Sequence, residues 1–173
     1  MNTLYLLRHA KSSSTDAKLA DHDRPLTKRG RRSAEAIAQH LARTHVAPDL
    51  VLSSTAMRTH ETLDPILARL KPRRVVFDRD LYLAPVGALL ERLRAIDEAD
   101  ASVLLVGHNP GLHELALALA DPDSPVAPPP LSGKFPTGAL ASFRFAGPWR
   151  RLKLGTATLV AYTTPRDLTG EGD

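Results

Sequence analysis

The chain of 173 residues contains no cysteine, which excludes disulfides, thiolate metal sites and cysteine nucleophiles. Aromatic residues are scarce, at 5%. A basic chain that reads nucleic acid usually carries exposed aromatics or a recognisable module, and neither is present, so no nucleic-acid partner is expected. No apolar stretch approaches the roughly 18 residues that span a bilayer. The opening MNTLYLLRHA has no basic segment ahead of a long apolar run and does not read as a secretory signal. A cytoplasmic protein without a membrane partner is the expectation.

What is present is enough for one core. Hydrophobic residues make up 43% of the chain, and one domain over residues 1–173 is expected. The formal net charge is +4, with basic residues gathered in Arg24 to Arg32 and in Lys71 to Arg74. Such an excess is either a solvated surface or a field that draws in an acidic or phosphorylated substrate.

Periodicity gives alternating elements. Thr3 to Leu7 reads as a strand, and the polar residues 10 to 26 as a long loop. Thr27 looks like the N-cap of a helix through Arg43, with Ala36, Ile37, His40 and Leu41 as its stripe. Asp49 to Ser53 reads as a strand and residues 55 to 70 as a helix that Pro65 should kink or restart. Arg74 to Phe77 is a third strand, and Ala84 to Ala95 a helix with Pro85 in its first turn. Ser102 to Gly107 is almost wholly apolar, hence a central strand, and Pro110 to Ala120 a helix. Residues 121 to 136 are Pro-rich and read as a loop or flap outside the core. Gly138 to Phe145 and Trp149 to Tyr162 read as a hairpin around Ala146-Gly147-Pro148, and the terminal TGEGD as frayed. The expected fold is α/β: a three-layer sandwich whose mostly parallel sheet ends in an antiparallel edge.

In open α/β sheets, ligands sit outside the carboxyl ends of the strands. His9 follows the first strand and His108 follows the central one. A lone histidine is more often structural; two at strand ends of one sheet point to a site. Arg8 adjoins His9, and Arg58 lies one turn into the helix after the second strand, unless it pairs instead with Glu61. Guanidinium groups bind phosphate bidentately. Two arginines and two imidazoles suit a phosphoryl dianion, and no carboxylates converge with metal-ligand spacing. No metal and no cofactor is expected. A neutral imidazole attacks phosphorus well when its other nitrogen donates to a fixed acceptor. Arginines and a second imidazole then stabilise charge on the equatorial oxygens.

These residues fall in four ordered motifs: Leu7-Arg8-His9-Ala10, Asp23-Arg-Pro-Leu-Thr-Lys-Arg-Gly30, Ser53-Ser-Thr-Ala-Met-Arg58 and Val106-Gly-His108-Asn-Pro-Gly111. Together they resemble the histidine phosphatase superfamily, branch 1, in its small SixA-type phosphohistidine phosphatases, over roughly residues 3 to 162. The resemblance implies a phosphoglycerate-mutase-like fold, His9 as nucleophile, and Arg8, Arg58 and His108 around the phosphate. It also implies that Arg24 adds positive potential there, although Arg24 fits equally a loop residue paired with Asp21 or Asp23. Larger phosphoglycerate-mutase-like relatives carry a glutamate after the third strand as proton donor. Here Asp80-Leu-Tyr82-Leu-Ala-Pro85 has no carboxylate at the matching place. An alkoxide leaving group needs such an acid more than an imidazole does. A phosphohistidine-bearing protein is thus the expected partner, with hydrolysis of a small metabolite or nucleotide ester, or phosphate binding without turnover, as alternatives. Asp16, Asp21, Asp23 and Asp80 remain as donors from loops.

Overall fold

The computed structural model describes residues 1–126 and 129–171. Its centre is the run Ser102–Gly107 (β4), with Val103 to Gly107 buried, as a strand covered on both faces requires. Asn2–Arg8 (β1) pairs parallel on one side of it and Leu50–Ser53 (β2) on the other. Arg74–Phe77 (β3) joins parallel to β2, and Leu140–Phe145 (β5) and Thr158–Thr163 (β6) extend the β1 side antiparallel. The order is β3-β2-β4-β1-β5-β6, a six-stranded mixed sheet as expected.

Alternation along the strands separates two cores. Leu4, Leu6, Leu50, Leu52, Val103 and Leu105 face Val86–Arg94 (α3) and Gly111–Leu119 (α4). Leu7, Val51, Leu104 and Val106 face Lys28–Arg43 (α1) and Met57–Leu70 (α2) on the opposite side. Helices therefore cover both faces. Among the described residues, no helix is long and apolar enough to cross a membrane.

Several local expectations change. Thr27 does cap α1, accepting from the Gly30 N–H at 2.9 Å, but the buried stripe is Ala34, Ile37, Ala38 and Leu41, while Ala36 and His40 are half-buried. Small residues set this rotation: a Cβ at Gly30 would overlap the Lys11 carbonyl oxygen. Pro65 neither restarts α2 nor ends it, because buried Leu63 and Ile66 pin the helix to the sheet on both sides of the missing N–H. The strand expected over Trp149 to Tyr162 is β6 alone. Trp149–Arg151 is instead a 3-10 turn, since Trp149 is fully buried and its indole N–H donates to the Asp100 carbonyl at 2.7 Å.

The Pro-rich stretch is not a flap outside the core. Pro129–Gly133 (α5) is helical, and Leu131 and Phe135 are buried in the α3/α4 core; residues 127 and 128 lie outside the described residues. The end is likewise built further than expected. Pro165–Thr169 (α6) carries a capping box between Thr164 and Asp167, and Glu171 pairs with Arg32; residues 172 and 173 lie outside the described residues.

A Cβ at Gly111 would overlap the Ala84 carbonyl oxygen, so the start of α4 and the 82–85 loop touch backbone to backbone. Gly111→Ala should lower stability by about 1–3 kcal/mol. Gly87→Ala, where nothing lies within 4 Å, should leave it unchanged or slightly raised. Urea unfolding checks both; equal midpoints for the two variants would contradict this packing.

Candidate active site

β1 and β4 end together. Arg8 stands opposite Gly107 in the parallel ladder, so His9 and His108 leave the sheet side by side. The His9 N–H donates to the Gly107 carbonyl at 3.2 Å, and the ring centroids lie 5.2 Å apart, tilted by 52°. The turn is clamped from two more directions. The Gly138 N–H lies within hydrogen-bond distance of the Arg8 and His9 carbonyls, and the Ala10 N–H donates to Thr62 Oγ1 of α2 at 2.9 Å.

Both imidazoles are buried, with 6% of His9 and 3% of His108 exposed. His9 Nδ1 lies 2.7 Å from the Ala10 carbonyl. A carbonyl only accepts, so Nδ1 carries the proton and Nε2 keeps its lone pair. Burial lowers the His9 pKa from the ordinary 6.5 to about 3, outweighing the Ala10 hydrogen bond; His108, Arg58 and Arg8 push the same way. Burial, followed by Arg58, lowers His108 to about 3 as well. His108 Nε2 lies 2.7 Å from Ser54 Oγ, while its Nδ1 is buried without a protein partner among the described residues.

Arg58, 2% exposed in the first turn of α2, reaches the 10–26 loop rather than Glu61. It donates to the Asp21 carbonyl at 2.7 Å and to Asp21 Oδ2 at 3.1 Å. Arg24 meets Asp21 Oδ1 at 3.0 Å, and the Tyr82 hydroxyl donates to Asp21 Oδ2. The Tyr82 hydrogen bond first, then the arginines, hold the Asp21 carboxyl below its usual range despite some burial. Glu61 pairs instead with Arg31 and accepts from the Leu26 N–H. Arg8 donates to the Phe135 carbonyl at 3.0 Å, beside Asn109, which donates to the same oxygen at 2.9 Å.

Arg8, His9, Arg24, Arg58 and His108 all line one cavity of about 480 Å³, so the structure brings together the five residues that the sequence nominates. Arg24 both lines the cavity and pairs with Asp21. Of the four aspartates weighed as donors, Asp21 alone lines it. Asp16, Asp23 and Asp80 are exposed, and Asp16 and Asp23 contact their own loop. Sequence reasoning missed Ser54, Tyr82, Asn109 and Thr137. Ser54 and Asn109 sit inside the quoted motifs and Tyr82 inside the stretch Asp80 to Pro85, whereas Thr137 lies outside all of them. Leu83, 51% exposed on the rim, holds a left-handed φ of 51°. Among the described residues, no group of three or more His, Asp or Glu is placed to hold a metal ion.

The model of the histidine phosphatase superfamily (branch 1) matches residues 4–99. The uncharacterized protein Rv1276c of Mycobacterium tuberculosis is 38% identical over 92% of this chain and 100% of its own length. A structure assigned as phosphohistidine phosphatase SixA from Nakamurella multipartitia is 34% identical, with a TM-score of 0.82 over 95% of this chain and 96% of that one. The protein histidine phosphatase SixA complexed with tungstate is 26% identical, with a TM-score of 0.78 over 96% and 99%. The chain belongs to the histidine phosphatase superfamily, branch 1. Within it the chain is of the SixA type, and it is a phosphatase.

For this histidine phosphatase, the depressed imidazoles have a pH signature. A base whose folded pKa is lowered binds fewer protons folded than unfolded between about 3 and 6.5. Stability is therefore present above pH 6.5 and lost as pH falls through that window. Carbon and nitrogen shifts of His9 and His108 should stay those of neutral rings from pH 8 to about 4. The fall in urea midpoint between pH 7 and 4 should be smaller in a His9→Asn/His108→Asn variant. Titration of either ring near 6.5 would contradict the burial argument.

Proposed function

We propose that this chain is a metal-independent phosphatase that forms a phosphohistidine on His9 and takes its phosphoryl group from phosphohistidine on a protein. The supporting observation is the hydrogen bond from His9 Nδ1 to the Ala10 carbonyl inside a cationic cavity. It leaves a neutral ring whose Nε2 lone pair is the nucleophile. Nε2 bonds to phosphorus as the bond from phosphorus to the substrate imidazole breaks. Arg8 and Arg58 hold the equatorial oxygens, with Arg24 adding positive potential, and His108 donates a hydrogen bond through a ring N–H. Water then attacks phosphorus, the bond to Nε2 breaks, inorganic phosphate leaves, and His9 returns neutral.

The leaving group decides the substrate class. Asp21 lines the cavity but is held ionised, so it is a poor proton donor to an alkoxide. A phosphoramidate needs such an acid less, because a substrate imidazole protonated on its other ring nitrogen leaves as the neutral ring. The related SixA forms a complex with tungstate, an oxyanion, which is consistent with this reading. A phosphomonoesterase for a small metabolite is the second reading, and Asp21 is the observation in its favour, as a carboxylate already at the cavity wall.

Purified protein with EDTA present should release phosphate from a phosphohistidine-bearing carrier domain, and His9→Ala should lose at least about 10³-fold of that rate. Arg58→Ala should lose about 10²-fold. No release, or equal rates for His9→Ala, would sink the proposal; high turnover of one alkyl phosphate ester with little on phosphoramidates would favour the second reading. Asp21→Asn removes an anion that competes for Arg58 and Arg24, and should tighten tungstate inhibition roughly three- to tenfold. Unchanged or weaker inhibition would show that Asp21 does not compete with the oxyanion.

A further inference from the structure

A second cavity, of about 300 Å³, adjoins the first, and Lys11 and Thr137 line both. Its far wall carries Arg29 from α1, Lys134 from the segment after α5, and Arg166 from α6. Among the described residues, none of these three has a carboxylate partner, and the one acid on the wall, Glu171, is paired with Arg32 at 3.4 Å. Pro136, Pro165 and Tyr162 add apolar surface. The wall is held in place. Tyr162 donates its hydroxyl to the Lys134 carbonyl at 2.9 Å, and burial, then Asp167, pushes its pKa up to about 12, so the phenol keeps its proton.

Lys11 is two residues beyond His9, which an extended chain covers in at most about 7 Å. Because Lys11 and Thr137 line both cavities, a group attached to the phosphorylated atom can enter the second cavity while the phosphoryl group lies at His9. We infer that this cavity is a subsite for a second anionic group of the substrate, a carboxylate or a further phosphate, held by Arg29, Lys134 and Arg166. The inference rests on the phosphoryl group binding beside His9 as proposed above. It deepens that reading, because it separates substrates with a neighbouring acid from those without one. A protein supplies such a group as a glutamate or aspartate near its phosphohistidine, and a small metabolite as a second phosphate.

Binding by calorimetry tests this without chemistry. The ligands are methylphosphonate, phosphonoalkanoates with a carboxylate about two to four methylene groups away, and the matching bisphosphonates. At least one doubly anionic ligand should bind the wild-type chain about tenfold tighter than methylphosphonate, with an advantage that shrinks as salt rises. The advantage should vanish in Lys134→Ala/Arg166→Ala, and methylphosphonate should bind that variant as it does wild type. Lys134→Glu/Arg166→Glu should turn the advantage into a penalty. Phosphohistidine peptides carrying glutamate or glutamine near the modified residue distinguish the sources. A gain with glutamate supports a protein source, and a gain confined to bisphosphonates a small bisphosphorylated one. Equal affinities for all ligands, or an advantage that survives both double variants, would overturn the subsite. Turnover of the phosphohistidine carrier by Lys134→Ala/Arg166→Ala keeps the two readings apart. Its absence in wild type as well would count against the phosphatase mechanism, whereas the binding series alone decides the subsite.

Discussion

The site depends on the parallel pairing of β1 with β4. With Arg8 opposite Gly107, the two strands stop at the same level, and the residues after them have no sheet left to join. His9 and His108 are therefore delivered by backbone geometry, not by side-chain search. A slip of one residue would turn every side chain of β1 to the other face, placing Leu4 and Leu6 against α1 and α2. The burial of both cores resists this, so the same apolar alternation that stabilises the sheet also sets the distance between two imidazoles.

Enclosure then sets the chemistry. Burial strips water from the rings, and nearby cations make a second positive charge costly, so both imidazoles are neutral where a free histidine would be partly charged. Neutrality gives His9 a lone pair, and the Ala10 carbonyl selects the nitrogen that holds it. A histidine in the same place but open to water would be neutral only in part near pH 7, and one facing a hydroxyl instead of a carbonyl would lose the fixed choice of nitrogen.

Much of this was legible in the chain. Strand ends are recognisable where an apolar run meets a polar residue, and LYLLRH and VLLVGH both show it. The strands and helices that carry Arg8, His9, Arg58 and His108 follow from periodicity alone. The C-terminal third is less legible. Trp149 to Tyr162 has strand composition, but the indole finds its burial and its acceptor at Asp100, which no local pattern reveals. The Pro-rich stretch looks like a loop, yet Leu131 and Phe135 are drawn into the core, and the Phe135 carbonyl then anchors Arg8 and Asn109. Tyr82 carries no local signal for its role, which is set by the fold of the 10–26 loop, where there is no periodicity to read.

That loop answers a problem the site creates for itself. Arg58 is almost wholly buried, and a buried cation without a counter-charge would be strongly destabilising. Asp21 supplies the charge, and presents a carboxylate oxygen and a main-chain oxygen to one guanidinium while taking Arg24 and the Tyr82 hydroxyl on its carboxylate. In the proposed reaction a phosphoryl dianion offers the same arginines more charge and more oxygens. Binding is then an exchange of one anion for another, so the arginines need not be desolvated anew when substrate arrives. The carboxylate that makes this exchange is held ionised by the Tyr82 hydrogen bond first and then by those cations, and for that reason it cannot also serve as a ready proton donor. The pairing of Arg58 and Arg24 with Asp21 and the poor supply of a proton to an alkoxide are thus one arrangement, and it leans the site toward a leaving group that carries its own proton.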